Sequence, residues 1–356
     1  MAAITYYYGN ESICEFGYQG ESNDKTDCTT AATPTESLRY IQELSVTINP
    51  NIETDKFLNS GSGRNYAIRT QGVHDAKAKM KFWISKDAGQ TDAQEFYFLK
   101  MPIDGTNTDV ENLYTIPPTT NEFGSDYLKV FTIEAGYNKT DNITATKLTG
   151  CIVEKETMHL EMGKKCEWNW DIQAIKASQI TSFAAGNIAE STEYPFNWGD
   201  VKIAYGDAGA TATLDGCEMF EHVITNEVTK EYDLSNATSV LTPTHYTTGM
   251  RKITGTFRIK LNTETHNGQD LWEDLMNDAS GEVTPTEGVV LKDFNVRMYI
   301  DGTYYVDYTY HDVVLGEIDH PVTSKGVVRL TIPWTALAVV CVLKAHASNS
   351  EPTGWS

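Results

Sequence analysis

The side chains able to carry chemistry are scattered along this chain. His74, His159, His222, His245, His266, His311, His320 and His346 include no HExxH and no pair at i and i+4, so none matches the helical zinc site of a metalloprotease. Each reads as a surface or hydrogen-bonded histidine. Cys14, Cys28, Cys151, Cys166, Cys217 and Cys341 form no CxxC and no Cys/His cluster of zinc-ligand spacing, and read mostly as buried thiols. Cys151 and Cys166 can face each other across a hairpin, but their spacing does not decide for a disulfide. Gly61-Ser62-Gly63 lacks the GxSxG frame of a nucleophile elbow. Asp104, Asn107 and Asp109 open like a calcium loop, yet Thr115 stands where the acidic closer belongs, and the stretch reads as a turn. Neither GxxxxGK[ST] nor GxGxxG occurs. The expectation is no catalytic residue, no cofactor, no metal and no enzyme.

Charge narrows the partners. The formal net charge is -21, with 25 acids and 17 bases in residues 1–184 and 24 acids and 11 bases in 185–356. A surface that grips nucleic acid needs lysine and arginine to neutralise phosphates, so tight binding is not expected, whereas a surface past which DNA slides is compatible. Met1 to Gly9 lacks the basic start and apolar core of a secretory leader. Ala336 to Leu343 is eight apolar residues, against about 20 for a membrane-spanning helix. The expectation is a soluble protein made in a cytoplasm, with no membrane partner. The sequons at Asn10, Asn138, Asn142 and Asn236 carry no meaning in that setting.

The elements repeat. The stretch 44–101 recurs at an offset of 177: Val46, Asn49, Gly72, Met80, Phe82 and Ile84 fall on Val223, Asn226, Gly249, Phe257, Ile259 and Leu261. In the first copy, 37–49 alternates as a strand that Pro50 ends. In 76–85, lysines alternate with Ala78, Met80, Phe82 and Ile84, and 87–99 reads as a short helix. In the second copy, 217–226 and 253–261 are the strands and 270–277 the helix. Trp168, Trp170, Ile172 and Ala174 reappear as Val328, Leu330, Ile332 and Trp334 at an offset of 160. Segment 20–35 reads as a loop, 103–126 as an irregular insertion and 326–342 as one strand. Between paired strands lie two polar arms, 51–72 and 227–248; loops longer than about 12 to 15 residues are usually functional or disordered. The domain reading is 1–184, a linker at 185–195, a second domain at 196–345 and a polar tail at 346–356.

The order of these elements resembles the tail tube, or major tail, proteins of tailed bacteriophages and archaeal tailed viruses. The resemblance rests on Tyr8-Gly9 and Phe16-Gly17-Tyr18, the strand 44–48, the polar arm ending near Gly72, the strand 79–84 and the short helix, all followed by a second copy. It implies a mainly β protein of two tandem β-sandwich or half-barrel domains, each with one short helix and a long extended arm. It implies a structural virion protein whose rings stack into a hollow conduit for DNA delivery. Three two-domain chains would make a pseudo-sixfold ring with an acidic lumen. The arms would bridge subunits and rings through Phe57, Leu58, Arg64, Tyr66, Arg69, Tyr232, Leu234 and Tyr246. Implied partners are further copies of the chain, the tape measure, terminator and baseplate or tip proteins, and DNA in passage; the implied location is the virion tail. Two other readings stay open: a surface or appendage subunit with two β-sandwich domains, and a carbohydrate-active hydrolase on a β-sandwich, which needs paired carboxylates in a cleft.

Overall fold

The computed structural model describes residues 12–22, 24–34, 36–38, 40–49, 52–55, 68–71, 75–86, 98–99, 101–103, 106–108, 113–115, 128–139, 142–183, 194–206, 213–232, 242–260, 292–300, 305–316 and 327–344. The protein is mainly β. In chain order the elements are β1 (Ser12–Glu21), helix α1 (Lys25–Thr29), β2 (Glu36–Ser37), β3 (Tyr40–Asn49), β4 (Ile52–Asp55), β5 (Ile68–Gln71), β6 (Asp75–Trp83), β7 (Thr106–Thr108), β8 (Leu113–Thr115), β9 (Lys129–Lys139) and β10 (Asn142–Glu161). They continue as β11 (Glu167–Ala174), β12 (Lys176–Ile180), β13 (Val201–Gly206), β14 (Cys217–Glu231), β15 (His245–Lys260), β16 (Lys292–Tyr299), β17 (Tyr305–Leu315), β18 (Arg329–Ala336) and β19 (Ala338–Lys344).

Period-two alternation sets the main layer. In β6, Ala76, Ala78, Met80 and Phe82 are buried while Lys77 and Lys79 are exposed. In β11, Trp168, Trp170, Ile172 and Ala174 are buried. Strands of this kind cover a core with one face and meet water with the other. They form a central antiparallel sheet in the order β3-β6-β11-β10-β14-β15-β18-β17.

Two further sheets lie against it. One runs β2-β1-β9-β10-β12 and the other β13-β16-β17-β19-β8-β7. Strands β10 and β17 thus each serve two sheets. β10 changes sheet near Gly150, where the ladder to β9 shifts register between Leu148 and Cys151 and φ is +66°, a conformation that favours glycine.

The apolar faces share one contiguous core. In its first half, Phe98 packs on Phe16 and Trp170 at centroid distances of 4.1 and 4.3 Å. In its second half, Phe220, Phe257, Phe294, Tyr310 and Trp334 pack together. Aromatic pairs add about 0.5–1.5 kcal/mol each beyond the area they bury. A smaller cluster of Cys28, Leu128, Val130, Ile152, Ile175 and Tyr246 lies apart from it.

Several expectations change. Segment 20–35 is not all loop: β1 runs to Glu21, and α1 follows because the Asp24 side chain accepts from the backbone N–H groups of Thr26 and Asp27. The insertion 103–126 contains β7 and β8, a hairpin that pairs with β19 through Tyr114 and Leu113. The strand expected over 326–342 is two strands broken at Leu337, just as β11 and β12 are separated at Ile175. Of the expected helix at 87–99 only Phe98 and Leu99 are described, both buried. The helix expected at 270–277, residues 185–193 of the linker and the tail at 346–356 lie outside the described residues.

Candidate functional site

The central sheet is where residues from both halves of the chain meet, and pairing fixes which positions correspond. On β6, Met80 stands opposite Leu44 and Trp170; on β15, Phe257 stands opposite Phe220 and Ile332. With Met80 set against Phe257, the offset of 177 expected between β6 and β15, pairing puts the offset at 176 between β3 and β14 and 162 between β11 and β18. The expected pairs Val46 with Val223 and Trp168 with Val328 do not hold. One residue of slip moves a side chain to the other face, and Val46, packed against the core, corresponds to buried His222 and not to outward Val223. The same irregularity then appears twice: β3 shifts register between Ile41 and Glu43 against β6, and β14 between Cys217 and Met219 against β15. The extra residues are Gln42 and Glu218, again 176 apart. A bulge re-aims side chains at such a point.

The outward face of this sheet carries cross-strand ion pairs. Lys79 meets Asp171 at 3.1 Å and Lys81 meets Glu167 at 2.7 Å. Glu161 receives Lys164 at 2.5 Å and Arg258 at 3.2 Å. Glu218 receives Arg329 at 2.6 Å, Lys260 at 3.0 Å and Arg258 at 3.5 Å. Hydrogen bonds from Lys164, then Arg258 and His159, hold the Glu161 carboxyl down at about 2, and Arg329 followed by Lys260 holds Glu218 there against its desolvation. A groove of about 360 Å³ on this face is lined by Glu43, Lys79, Lys81, Lys155, Thr157 and Asp171 among others. Its Asp171 is already engaged by Lys79.

On the inward face one polar group of contacts is fully buried. Glu156 of β10 accepts from Trp170 Nε1 of β11 at 2.5 Å, and its other oxygen lies 2.9 Å from His222 Nε2 of β14. His222 Nδ1 is in hydrogen-bond contact with the Tyr310 hydroxyl of β17. Tyr308 lies edge-on to His222 and stacked on Tyr310. Burial pushes both tyrosine hydroxyls well above the ordinary phenol range. With Glu156 and His222 at 0% exposure, this constellation has no open side for a substrate. Its signal in the sequence was a histidine between Phe220 and Ile224 on the core-facing positions of a strand.

The arms differ from one another. β4 and β5 pair as a two-stranded ribbon beyond β3 and β6, whereas residues 228–231 and 245–248 simply prolong the β14–β15 ladder. Phe57, Leu58, Arg64, Tyr66 and Leu234 lie outside the described residues; Arg69 sits on β5 opposite Thr54. Tyr232 is exposed at the end of β14. Tyr246 is not available to a neighbouring subunit: it is buried within its own chain, and its hydroxyl donates to the Gly150 carbonyl at 2.5 Å.

All six cysteines are buried and unbridged. Burial raises the Cys14 and Cys28 thiols to about 12, which leaves little thiolate for chemistry. Among the described residues no group of three or more His, Cys, Asp or Glu is placed to hold a metal ion, and no helix is long and apolar enough to cross a membrane. No protein-family model matches the chain, and no curated protein matches it.

Proposed function

We propose that this chain is a structural virion protein, a tail tube subunit built from two tandem copies of one wall unit, whose stacked rings form the conduit for viral DNA. The observation that carries the reading is the order of the central sheet. β3-β6-β11-β10 is followed by β14-β15-β18-β17, with β10 joined to β14 and a bulge at the same place in each. A unit joined to its own repeat head to tail presents the same two mating edges at its ends. Those edges are β3, whose one ladder partner among the described residues is β6, and the end of β17. Ile48 on β3 and Val314 on β17 are 49% and 37% exposed. Head-to-tail contacts of this kind close into rings when the rotation closes, and a closed ring has no strand edge left.

Three chains would then supply six units to a pseudo-sixfold ring. The outward face of the central sheet would line the conduit, and its acidity takes a specific form: carboxylates already engage Lys79, Lys81, Arg258, Lys260 and Arg329. Cations so engaged release few counterions to a passing phosphate backbone, and tight binding depends on that release. The arm 51–72, and the second arm 227–248 through exposed Tyr232 and not through buried Tyr246, would reach the neighbouring subunit or ring, and the tape measure, terminator and baseplate or tip proteins would meet the ends of the tube in the virion tail.

The test is to express the full chain and image it by negative stain, with native mass spectrometry on the same sample. Rings or tubes of three chains per ring are expected. Monomers at micromolar concentration across pH and salt would overturn the function, and six chains per ring would overturn the stoichiometry.

A further inference from the structure

Strand β17 changes sheets as β10 does, 162 residues later. The ladder of β10 to β9 shifts between Leu148 and Cys151, and that of β17 to β16 between Tyr310 and Val313. Ile175 N–H donates to the Thr149 carbonyl, and Leu337 N–H to the His311 carbonyl. Gly150, with φ at +66°, thus corresponds to Asp312, with φ at +53°. The two places differ in what covers them. Ile152 and Ile175 are buried in the smaller cluster with Cys28 of α1 and Tyr246, and Val228 packs against it; Tyr246 and Val228 come from the extension of the β14–β15 hairpin. Val314 and Leu337, which correspond to Ile152 and Ile175, are 37% and 74% exposed.

That extension has its own counterpart in the first half of the chain. On the ribbon, Ile52 stands opposite Gln71 and Thr54 opposite Arg69, as Val228 stands opposite Thr248 and Lys230 opposite Tyr246. The offsets are again 176 and 177. The β4–β5 ribbon is therefore the first unit's form of the hairpin that covers Ile152 and Ile175.

We infer that the β4–β5 ribbon of one copy seats on Val314 and Leu337 of a neighbouring copy, repeating between chains the contact that the β14–β15 extension makes within one. The inference rests on the head-to-tail assembly proposed above. Register puts Ile52 in the place of Val228, so an aliphatic residue would cover Val314 and Leu337 and take their surface from water. It puts Arg69 in the place of Tyr246, whose hydroxyl donates to the Gly150 carbonyl at 2.5 Å. Arg69 would thereby meet Asp312. Asp312 is half-buried, and among the described residues no cation pairs with its carboxylate. Its backbone conformation favours glycine, and glycine is what the first unit has there; an acid held in such a conformation points to a use for its charge. Where the chain covers its own first unit, the contact is a neutral hydroxyl on a carbonyl, with the partner tethered by the chain itself. Where a separate chain must find the second unit, the matching positions carry opposite charges, which guide encounter and fix register.

Crosslinking between two differently tagged full-length chains tests the seat, one carrying Ile52→Cys and the other Leu337→Cys. The six native cysteines are buried, which keeps them from a mild oxidant. After mixing and oxidation, the covalent dimer of the two tagged chains should form in about tenfold greater yield than from a control mixture of Ile52→Cys and Val327→Cys. Val327 is 55% exposed and lies at the opposite end of β18 from Leu337. Independently, Leu337→Asp changes a side chain that the single chain leaves in water. It should raise the concentration needed for ring formation about tenfold, because a carboxylate would be buried in the seat, with the monomer's unfolding midpoint unchanged. A crosslinking yield equal to the control, or ring formation by Leu337→Asp at the wild-type concentration, would overturn the inference and leave the tube reading standing. If wild-type chains form no rings at all, the tube reading fails. The seat is then judged by crosslinking alone: the excess over the control sustains it, and equal yields overturn it.

Discussion

Lys230 of β14 and Asp75 of β6 meet at the foot of the two hairpins, Nζ to Oδ1 at 2.7 Å, with Lys230 also donating to the Ala76 carbonyl at 3.1 Å. The partners are not affected alike. Burial lowers Lys230 by more than Asp75 restores, whereas Asp75 is raised by burial but brought below the ordinary carboxylate range by Lys230 and Lys77. The two shifts act on stability in opposite directions, and a pair whose partners are taken from water is a weak source of stability. Lys230→Met is expected to change the unfolding free energy by less than about 1 kcal/mol, as judged from surface and partly buried pairs. Asp75→Asn strands a largely buried ammonium and should cost about 1–3 kcal/mol. Urea denaturation of both variants checks this, and a larger loss for Lys230→Met would reverse the account.

Gly255 lies beneath the indole of Trp334. A methyl group there would stand 2.3 Å from Trp334 Cζ2 and 2.1 Å from the Glu221 carbonyl oxygen. Backbone on one side and a buried ring on the other leave no room to yield. The corresponding pair is Ala78 and Ile172, where the smaller partner admits the methyl. Gly255→Ala is expected to destabilise the chain by about 1–3 kcal/mol, the usual cost of overpacking, and to alter the near-ultraviolet circular dichroism of Trp334. An unchanged unfolding midpoint would count against this packing.

The sheet-forming strands were legible because alternation survives one-sided burial: Ala78, Met80 and Phe82, or Trp168, Trp170 and Ile172, line up on one face. Their relation across the repeat was legible only coarsely. An apolar pattern is unchanged by a slip of two residues, which is why 160 passed for 162, and Val-x-x-Asn occurs at both 46–49 and 223–226, which hid the one-residue difference made by pairing. Helix α1 is five residues long, too short to show a helical period, and its sign was a single capping Asp24. The Glu156–His222 contact spans 66 residues, and no local pattern announces a partner at that distance.

The repeated bulge has an electrostatic use in the second half of the chain. It turns Glu218 toward Arg258, Lys260 and Arg329, whose hydrogen bonds, Arg329 first, hold its carboxyl at about 2. A carboxyl depressed in the fold stabilises it fully above the unfolded value, about 4.3 for glutamate, and that contribution is lost as pH falls from there toward 2. Glu218→Gln should therefore make stability less dependent on pH across this window, with a smaller effect at pH 7 than a fully buried pair would give. Urea midpoints at several pH values between roughly 2.5 and 7 read the difference. Parallel curves for the two proteins would mean that Arg329 does not hold Glu218 in solution.

Tyr246 and Tyr232 stand at the same end of the β14–β15 hairpin and should behave in opposite ways. Tyr246 joins the cluster of Cys28, Leu128 and Val130, its N–H donates to the Ser22 carbonyl, and its hydroxyl holds the Gly150 carbonyl where β10 changes sheets. Tyr246→Phe leaves that carbonyl only the longer bond from the Ile175 N–H, at 3.3 Å, and should cost about 1–2 kcal/mol. Tyr246→Ala also opens a cavity, and about 3–5 kcal/mol is expected by comparison with other large aromatic truncations. Both losses belong to the single chain, so they appear at protein concentrations too low for assembly. Tyr232, 37% exposed, has no such role: Tyr232→Ala should leave chain stability within about 0.5 kcal/mol of the wild type. Its effect should appear only in sedimentation of assembled material, as smaller or fewer particles. Equal losses of chain stability at the two positions would show that the hairpin end is held as a unit, and would remove Tyr232 from the assembly surface.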